Sequence, residues 1–227
     1  VSASETHNKK NVNASIAQSL AGFEDTVGPA LAAGMRVRAY VSCVWGCPYE
    51  GDVPIEASIR IAEKLFALGC YQVSLGDTIG CGTPRQTERV MRAALAALPL
   101  EAVAMHMHDT RGTALANVLV GLELGVRHFD ASVGGLGGCP YAPGAAGNVA
   151  TEDLVYLLEE SGYDTGIDLE ALIGTLERLE ARMAQWQPKS PNDVLMAADD
   201  RVVADGVRRG FNADYRLLNE VAYQVNR

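Results

Sequence analysis

Apolar residues change their spacing along the chain in a repeating way. Across residues 15–33, Ile16, Leu20, Phe23, Val27 and Leu31 recur at helical intervals, which predicts an amphipathic helix. Gly34 is placed to end it. Residues 35–43, Met-Arg-Val-Arg-Ala-Tyr-Val-Ser-Cys, are rich in strand formers and read as a strand. A Gly- and Pro-bearing loop follows over residues 44–53, and Pro54 suits the first turn of a helix running to about residue 68. The same reading places strands at 71–75, 103–108 and 127–132, and helices at 85–98, 112–124 and 151–161. Residues 76–84 and the Gly-rich 134–147 are loops. Thr110 and Thr151 stand where helix N-caps are expected. Residues 1–13 read as a loop.

Strands begin near positions 35, 71, 103 and 128, at intervals of about 36, 32 and 25 residues, the size of β/α units. Such alternation means an α/β fold with a parallel sheet, doubly wound or closed into a barrel. The polar candidates favour the barrel. Cys43 and Cys47, Asp77, His106 and His108, and the Gly-rich loop all follow strand C-terminal ends, where barrel active sites lie. The expected fold is of the (β/α)8 TIM-barrel type. A whole barrel needs eight units, and this chain holds about four.

The character changes further on. Leu172, Leu176, Leu179 and Met183 mark a helix over residues 169–186, and prolines at 188 and 191 break it. Residues 192–227 are expected to form two short helices with a surface or oligomer-contact role.

Composition narrows the function classes. The 227 residues are 48% hydrophobic and 21% charged, with a net charge of -9. The acidic balance argues against nucleic acid or an anionic membrane as partner. No apolar run reaches the length of a membrane span. The polar N-terminus carries no secretory signal and no initiator Met, so the chain is expected to begin inside a longer product. Five cysteines without an export signal fit a reducing cytosol; a mitochondrial leader upstream is compatible with the same sequence. Cys43 and Cys47 are four apart, and no second pair completes a zinc site. They read as packing or site-lining thiols.

The sharpest chemical signal is Val103-Ala104-Met105-His106-Met107-His108-Asp109-Thr110. Strand residues two apart share a face, so His106 and His108 can hold one metal ion between them. Asp77 follows a strand end, as a catalytic carboxylate or as the cap of a turn. Glu152 lies in the first turn of a helix, where a carboxylate opposes the helix dipole. His7 and His128 carry no motif.

Three stretches together resemble hydroxymethylglutaryl-CoA lyase, of the metal-dependent barrel group that also holds the isopropylmalate and homocitrate synthases. They are Tyr40-Val-Ser-Cys-Val-Trp-Gly-Cys-Pro-Tyr-Glu-Gly51, then Ser74-Leu-Gly-Asp-Thr-Ile-Gly80 with His106-Met-His-Asp-Thr110, and Gly134-Gly-Leu-Gly-Gly-Cys-Pro-Tyr-Ala142 with Gly147-Asn-Val-Ala-Thr-Glu-Asp153. The likeness covers residues 1–172, the second half of that barrel, and residues 173–227 would be a helical extension. It implies cleavage of 3-hydroxy-3-methylglutaryl-CoA, or a related 3-hydroxyacyl-CoA, to acetyl-CoA and acetoacetate with Mg²⁺ or Mn²⁺. It implies His106, His108 and Asn148 as metal ligands. It implies Cys139 as the catalytic thiol of a mobile loop, with His106, Asp77 and Glu152 also catalytic. The group's first-strand Asp ligand and the Arg beside it have no counterpart in these 227 residues. The expected partners are an acyl-CoA and a second copy of the chain, with neither nucleic acid nor membrane. An aldolase or Claisen-type synthase of the same group, or a non-catalytic half-barrel, remains the alternative.

Overall fold

The structure is a computed structural model and describes residues 1–137, 147–185 and 224–226. Four strands, β1 (Arg38–Val41), β2 (Gln72–Asp77), β3 (Val103–Met107) and β4 (Phe129–Ser132), lie side by side in sequence order, all parallel. Each is followed by a helix: α3 (Ile55–Ala67), α4 (Pro84–Ala97), α5 (Ala114–Glu123) and α6 (Thr151–Glu160). These are the four β/α units that the spacing predicts. Ahead of β1 come α1 (Glu5–Val12) and α2 (Ile16–Ala32), and α7 (Leu169–Gln185) follows α6. The opening residues join the sheet through a parallel bridge between Ser2 and Ser42.

The period-two alternation of the strands separates two faces. Ala39, Val41, Val73, Leu75, Val103, Met105, Met107, Phe129 and Ala131 are buried on one, under the helices that supply Ile59, Leu65, Val90, Met91, Val118, Leu122 and Leu154 to the same core. The other face carries Arg38, Tyr40, Gln72, Ser74, His106 and Asp130, placed together by the pairings Arg38↔Gln72, Tyr40↔Ser74 and His106↔Asp130.

That polar face is concave. Arg38 on β1 reaches Asp130 on β4 at 2.8 Å, across two intervening strands. In a flat sheet with strands about 4.8 Å apart, the two positions would stand about 14 Å from each other. The sheet is therefore rolled with its polar side inward, as in a (β/α)8 barrel wall.

Several local expectations are revised. Residues 5–12 form α1 rather than loop. Ser4 caps it by accepting from the His7 N–H, Glu5 sits in its first turn and Lys9 and Lys10 in its last, so end effects stabilise a helix that has no apolar stripe. Thr110 does not cap α5; Asp109 accepts the Ala114 N–H at 2.9 Å instead. The N-cap of α6 is Ala150, one residue before Thr151. Of residues 192–227 only 224–226 are described. They form β5 (Gln224–Asn226), antiparallel to β4, where the pattern predicts helix.

Candidate metal centre

His106 lies in β3 and His108 just beyond its end, where the chain leaves the sheet. Their rings face the same way, with centroids 5.4 Å apart. His108 is 5% exposed. Burial, and secondarily the neighbouring His106 ring, pushes its pKa down to about 3, against a smaller upward pull from the Asn148 side chain. The imidazole is therefore neutral at pH 7 and keeps one lone pair for an acceptor role. His106 is held from below: its Nδ1 lies 3.4 Å from Asp130 Oδ2. The Tyr40 ring stands edge-on to it, with centroids 6.1 Å apart.

Asn148 arrives from the far end of the Gly-rich stretch. It forms an antiparallel bridge with His108, and paired residues share a face. The segment is stitched between β3 and β4: Val149 N–H donates to Met107 O at 3.0 Å and Ser132 N–H to Val149 O at 3.1 Å. Asn148 Nδ2 donates to Leu136 O at 2.8 Å, which turns Oδ1 the other way. Two glycines make this possible. Gly135 has φ 65°, and a Cβ on Gly147 would stand 1.7 Å from Gly135 O. That approach excludes any side chain there.

His108 Nδ1 and Asn148 Oδ1 are buried and meet no hydrogen-bond partner among the described residues. Buried polar atoms are rarely left so. Two imidazoles and a carboxamide oxygen form a nitrogen–oxygen donor set that suits a divalent cation. The donors present thus fit a metal ion. They do so with Asn148 as the third member, since no group of three His, Cys, Asp or Glu side chains converges among the described residues.

The other expected residues are placed differently. Glu152 Oε2 accepts the Gly134 N–H at 3.0 Å, so this carboxylate braces the start of the Gly-rich loop. Asp77 lies on the opposite face from the histidines, because Gly76, not Asp77, is the cross-strand neighbour of His106. It is fully buried, and its oxygens accept from Cys81 N–H at 3.0 Å and Gly82 N–H at 2.7 Å. Burial raises its pKa against these donors. The adjacent Cys81 thiol is pushed up to about 12 by burial and by the Asp77 charge, so it remains a thiol. Cys139 lies outside the described residues. Cys47 is a packing thiol, 3.0 Å from Ser4 Oγ and accepting from the Tyr49 and Glu50 N–H groups at 3.4 Å.

Sequence reasoning missed Asp130 and the groups around it. Asp130 Oδ2 also accepts from Ser74 Oγ at 2.7 Å and Arg38 at 3.1 Å. Burial works against the charged form, but His106 and Arg38 outweigh it and lower the Asp130 pKa. The signal was available: Arg38 and Tyr40, Gln72 and Ser74, His128 and Asp130 are polar pairs two apart in strands otherwise made of core residues.

Comparison with known proteins decides the family. The HMGL-like family profile matches residues 1–178. The chain belongs to the HMGL-like family. Its members depend on a divalent metal. This HMGL-like chain is 51% identical over 188 residues to the hydroxymethylglutaryl-CoA lyase of Bacillus subtilis, covering 83% of this chain and 63% of that protein. The solved Bacillus subtilis HMG-CoA lyase superposes with a TM-score of 0.79 at 51% identity, over 85% of this chain and 64% of the other. An Acinetobacter baumannii HMG-CoA lyase, solved in complex with coenzyme A and 3-methylmalate, gives a TM-score of 0.76 at 42% identity, over 80% and 59%. The HMGL-like chain thus spans about three fifths of the length of these relatives, and its rolled sheet is part of their TIM-barrel fold. No helix among its described residues is long and apolar enough to cross a membrane.

Proposed function

We propose that the protein is a divalent-metal-dependent carbon–carbon lyase that cleaves 3-hydroxy-3-methylglutaryl-CoA to acetyl-CoA and acetoacetate. The observation that carries this reading is the convergence of His106, His108 and Asn148 at the open ends of the strands, with buried acceptor atoms left unpaired. The named lyases that the chain resembles, one of them solved with coenzyme A, support the substrate class.

The reaction breaks the bond between the tertiary carbinol carbon and the thioester's α-carbon. The hydroxyl loses its proton, the carbinol carbon becomes the ketone of acetoacetate, and the enolate of acetyl-CoA takes up a proton. When bound, Mg²⁺ or Mn²⁺ polarises the substrate oxygens and favours the alkoxide form of the hydroxyl. In this reading His106, His108 and Asn148 hold the ion. With Nδ1 committed to Asp130, His106 has one ring nitrogen left, so it serves as a ligand rather than a proton carrier. Glu152 anchors the Gly-rich loop through Gly134. Cys139 supplies the proton to the enolate, a role that rests on the resemblance alone. Asp77 holds the Cys81–Gly82 turn beside the site and acts through that loop.

The test is acetoacetate release by the full-length protein from 3-hydroxy-3-methylglutaryl-CoA with Mn²⁺. Cys139→Ala is expected to lower turnover by about 10²–10⁴-fold, the usual weight of a positioned proton donor. Turnover equal to the wild type would remove the thiol from the mechanism. No acetoacetate from the wild type, with release of a 2-keto acid from an aldol substrate instead, would transfer the protein to the aldolase class.

A further inference from the structure

The polar floor beneath the histidines is built more elaborately than a core needs. Asp130 is 1% exposed, and its carboxylate gathers groups from three other strands. Arg38 of β1 binds both oxygens, at 2.8 Å to Oδ1 and 3.1 Å to Oδ2. Ser74 of β2 donates to Oδ2 at 2.7 Å, and His106 of β3 lies 3.4 Å from the same oxygen. Arg38 is itself located by Gln72 and by the Tyr40 hydroxyl. An arginine held in this way fixes a carboxylate in position and plane. The carboxylate has no hydrogen of its own to give, so the Nδ1 of His106 must be the donor. That sets the tautomer of His106 and leaves the lone pair on Nε2, the nitrogen directed away from the floor.

We propose that Asp130 is the positioning residue of the metal centre: it fixes His106 as the Nδ1–H tautomer and aims Nε2 at the ion, with Arg38 and Ser74 holding the carboxylate in place. This rests on the reading of His106, His108 and Asn148 as cation ligands. A carboxylate behind a ligating imidazole orients the ring and strengthens its donor nitrogen, and its loss costs about 10–100-fold in metal affinity. An ion pair retained only for stability has weaker grounds, because a buried pair can be replaced by apolar side chains at little cost.

The test uses two variants of the full chain, because Asp130→Asn alone removes the counter-charge of the partly buried Arg38. The first is Asp130→Asn; the second is Asp130→Leu combined with Arg38→Met, which removes both charges. Mn²⁺ alone is titrated and free ion is read by electron paramagnetic resonance. Ring nitrogen shifts in the ¹⁵N spectrum of the metal-free protein report the His106 tautomer. Folding of each variant is confirmed by circular dichroism. The expected result is a 10–100-fold loss of Mn²⁺ affinity in the folded double variant, with His106 changing from a single Nδ1–H form to a mixture. Asp130→Asn, which keeps an acceptor oxygen, should lie between it and the wild type. A folded double variant with wild-type Mn²⁺ affinity and an unchanged tautomer would overturn the role of Asp130 and leave the cation centre intact. A wild-type protein that binds no Mn²⁺ would overturn the centre itself, and the inference with it.

Discussion

The two faces of one sheet are built by opposite rules. On the convex face Leu75, Met105 and Met107 are sealed under helices in one apolar cluster, so their contribution is the removal of hydrocarbon from water. On the concave face, one residue along the same strands, partly buried Arg38 and His106 meet fully buried Ser74 and Asp130 in a charged network. Burial there stabilises nothing by itself, and each charge depends on its partner. The convex side makes the fold; the concave side gathers charges that stability alone does not call for, which is the ground for the proposed role of Asp130 beneath the histidines.

That contrast can be broken most severely at Arg38. Arg38→Met leaves Asp130 charged in a closed interior and should cost about 3–5 kcal/mol, read from the urea midpoint. Adding Asp130→Leu should restore most of the loss. Next comes Leu75→Ala on the convex face, with a cost of about 2–5 kcal/mol from lost burial and the cavity left behind. Mn²⁺ affinity of the folded fraction should stay at the wild-type value, and a parallel drop would show that the faces are not independent. A smaller effect is expected at Trp45, whose Nε1 donates to Thr87 Oγ1 at 3.0 Å and ties the loop after β1 to α4. Trp45→Phe should lower stability by about 0.5–1.5 kcal/mol without altering the metal centre. His108→Leu should have the least effect on stability, within about 1 kcal/mol and in the stabilising direction, because it removes a buried nitrogen that lacks a partner. The same substitution should abolish Mn²⁺ binding. A destabilisation of several kcal/mol would mean that the ring is a packing element after all.

How far the sequence could be read follows the same division. The strand–helix rhythm was legible because β-branched and aliphatic runs alternate with helical stripes, and strand ends point to the site in any such fold. The histidine pair stood out by its spacing and Asn148 only through the resemblance; the structure joins His108 and Asn148 in one bridge. α1 was not, because Ser4 and the charges at its two ends make the helix without an apolar period. Thr110 is not the cap of α5, because the helix begins after Thr113 and the chain's path brings the Asp109 side chain to the Ala114 N–H. Counting residues in twos from His106 would have revealed the floor: Gly76 is its neighbour in β2 and Asp130 in β4. The same count assigns Asp77 to the other face. What no count supplies is the roll of the sheet, which alone lets β1 and β4 touch.

The link between Arg38 and Asp130 joins residues 92 positions apart. A ribosome releases the guanidinium long before its counter-charge exists. Until β4 docks, the early strands carry a cation without its counter-charge, and a dry interior rejects such a charge. Closure of the concave side is thereby tied to the arrival of β4, the fourth parallel strand among the described residues.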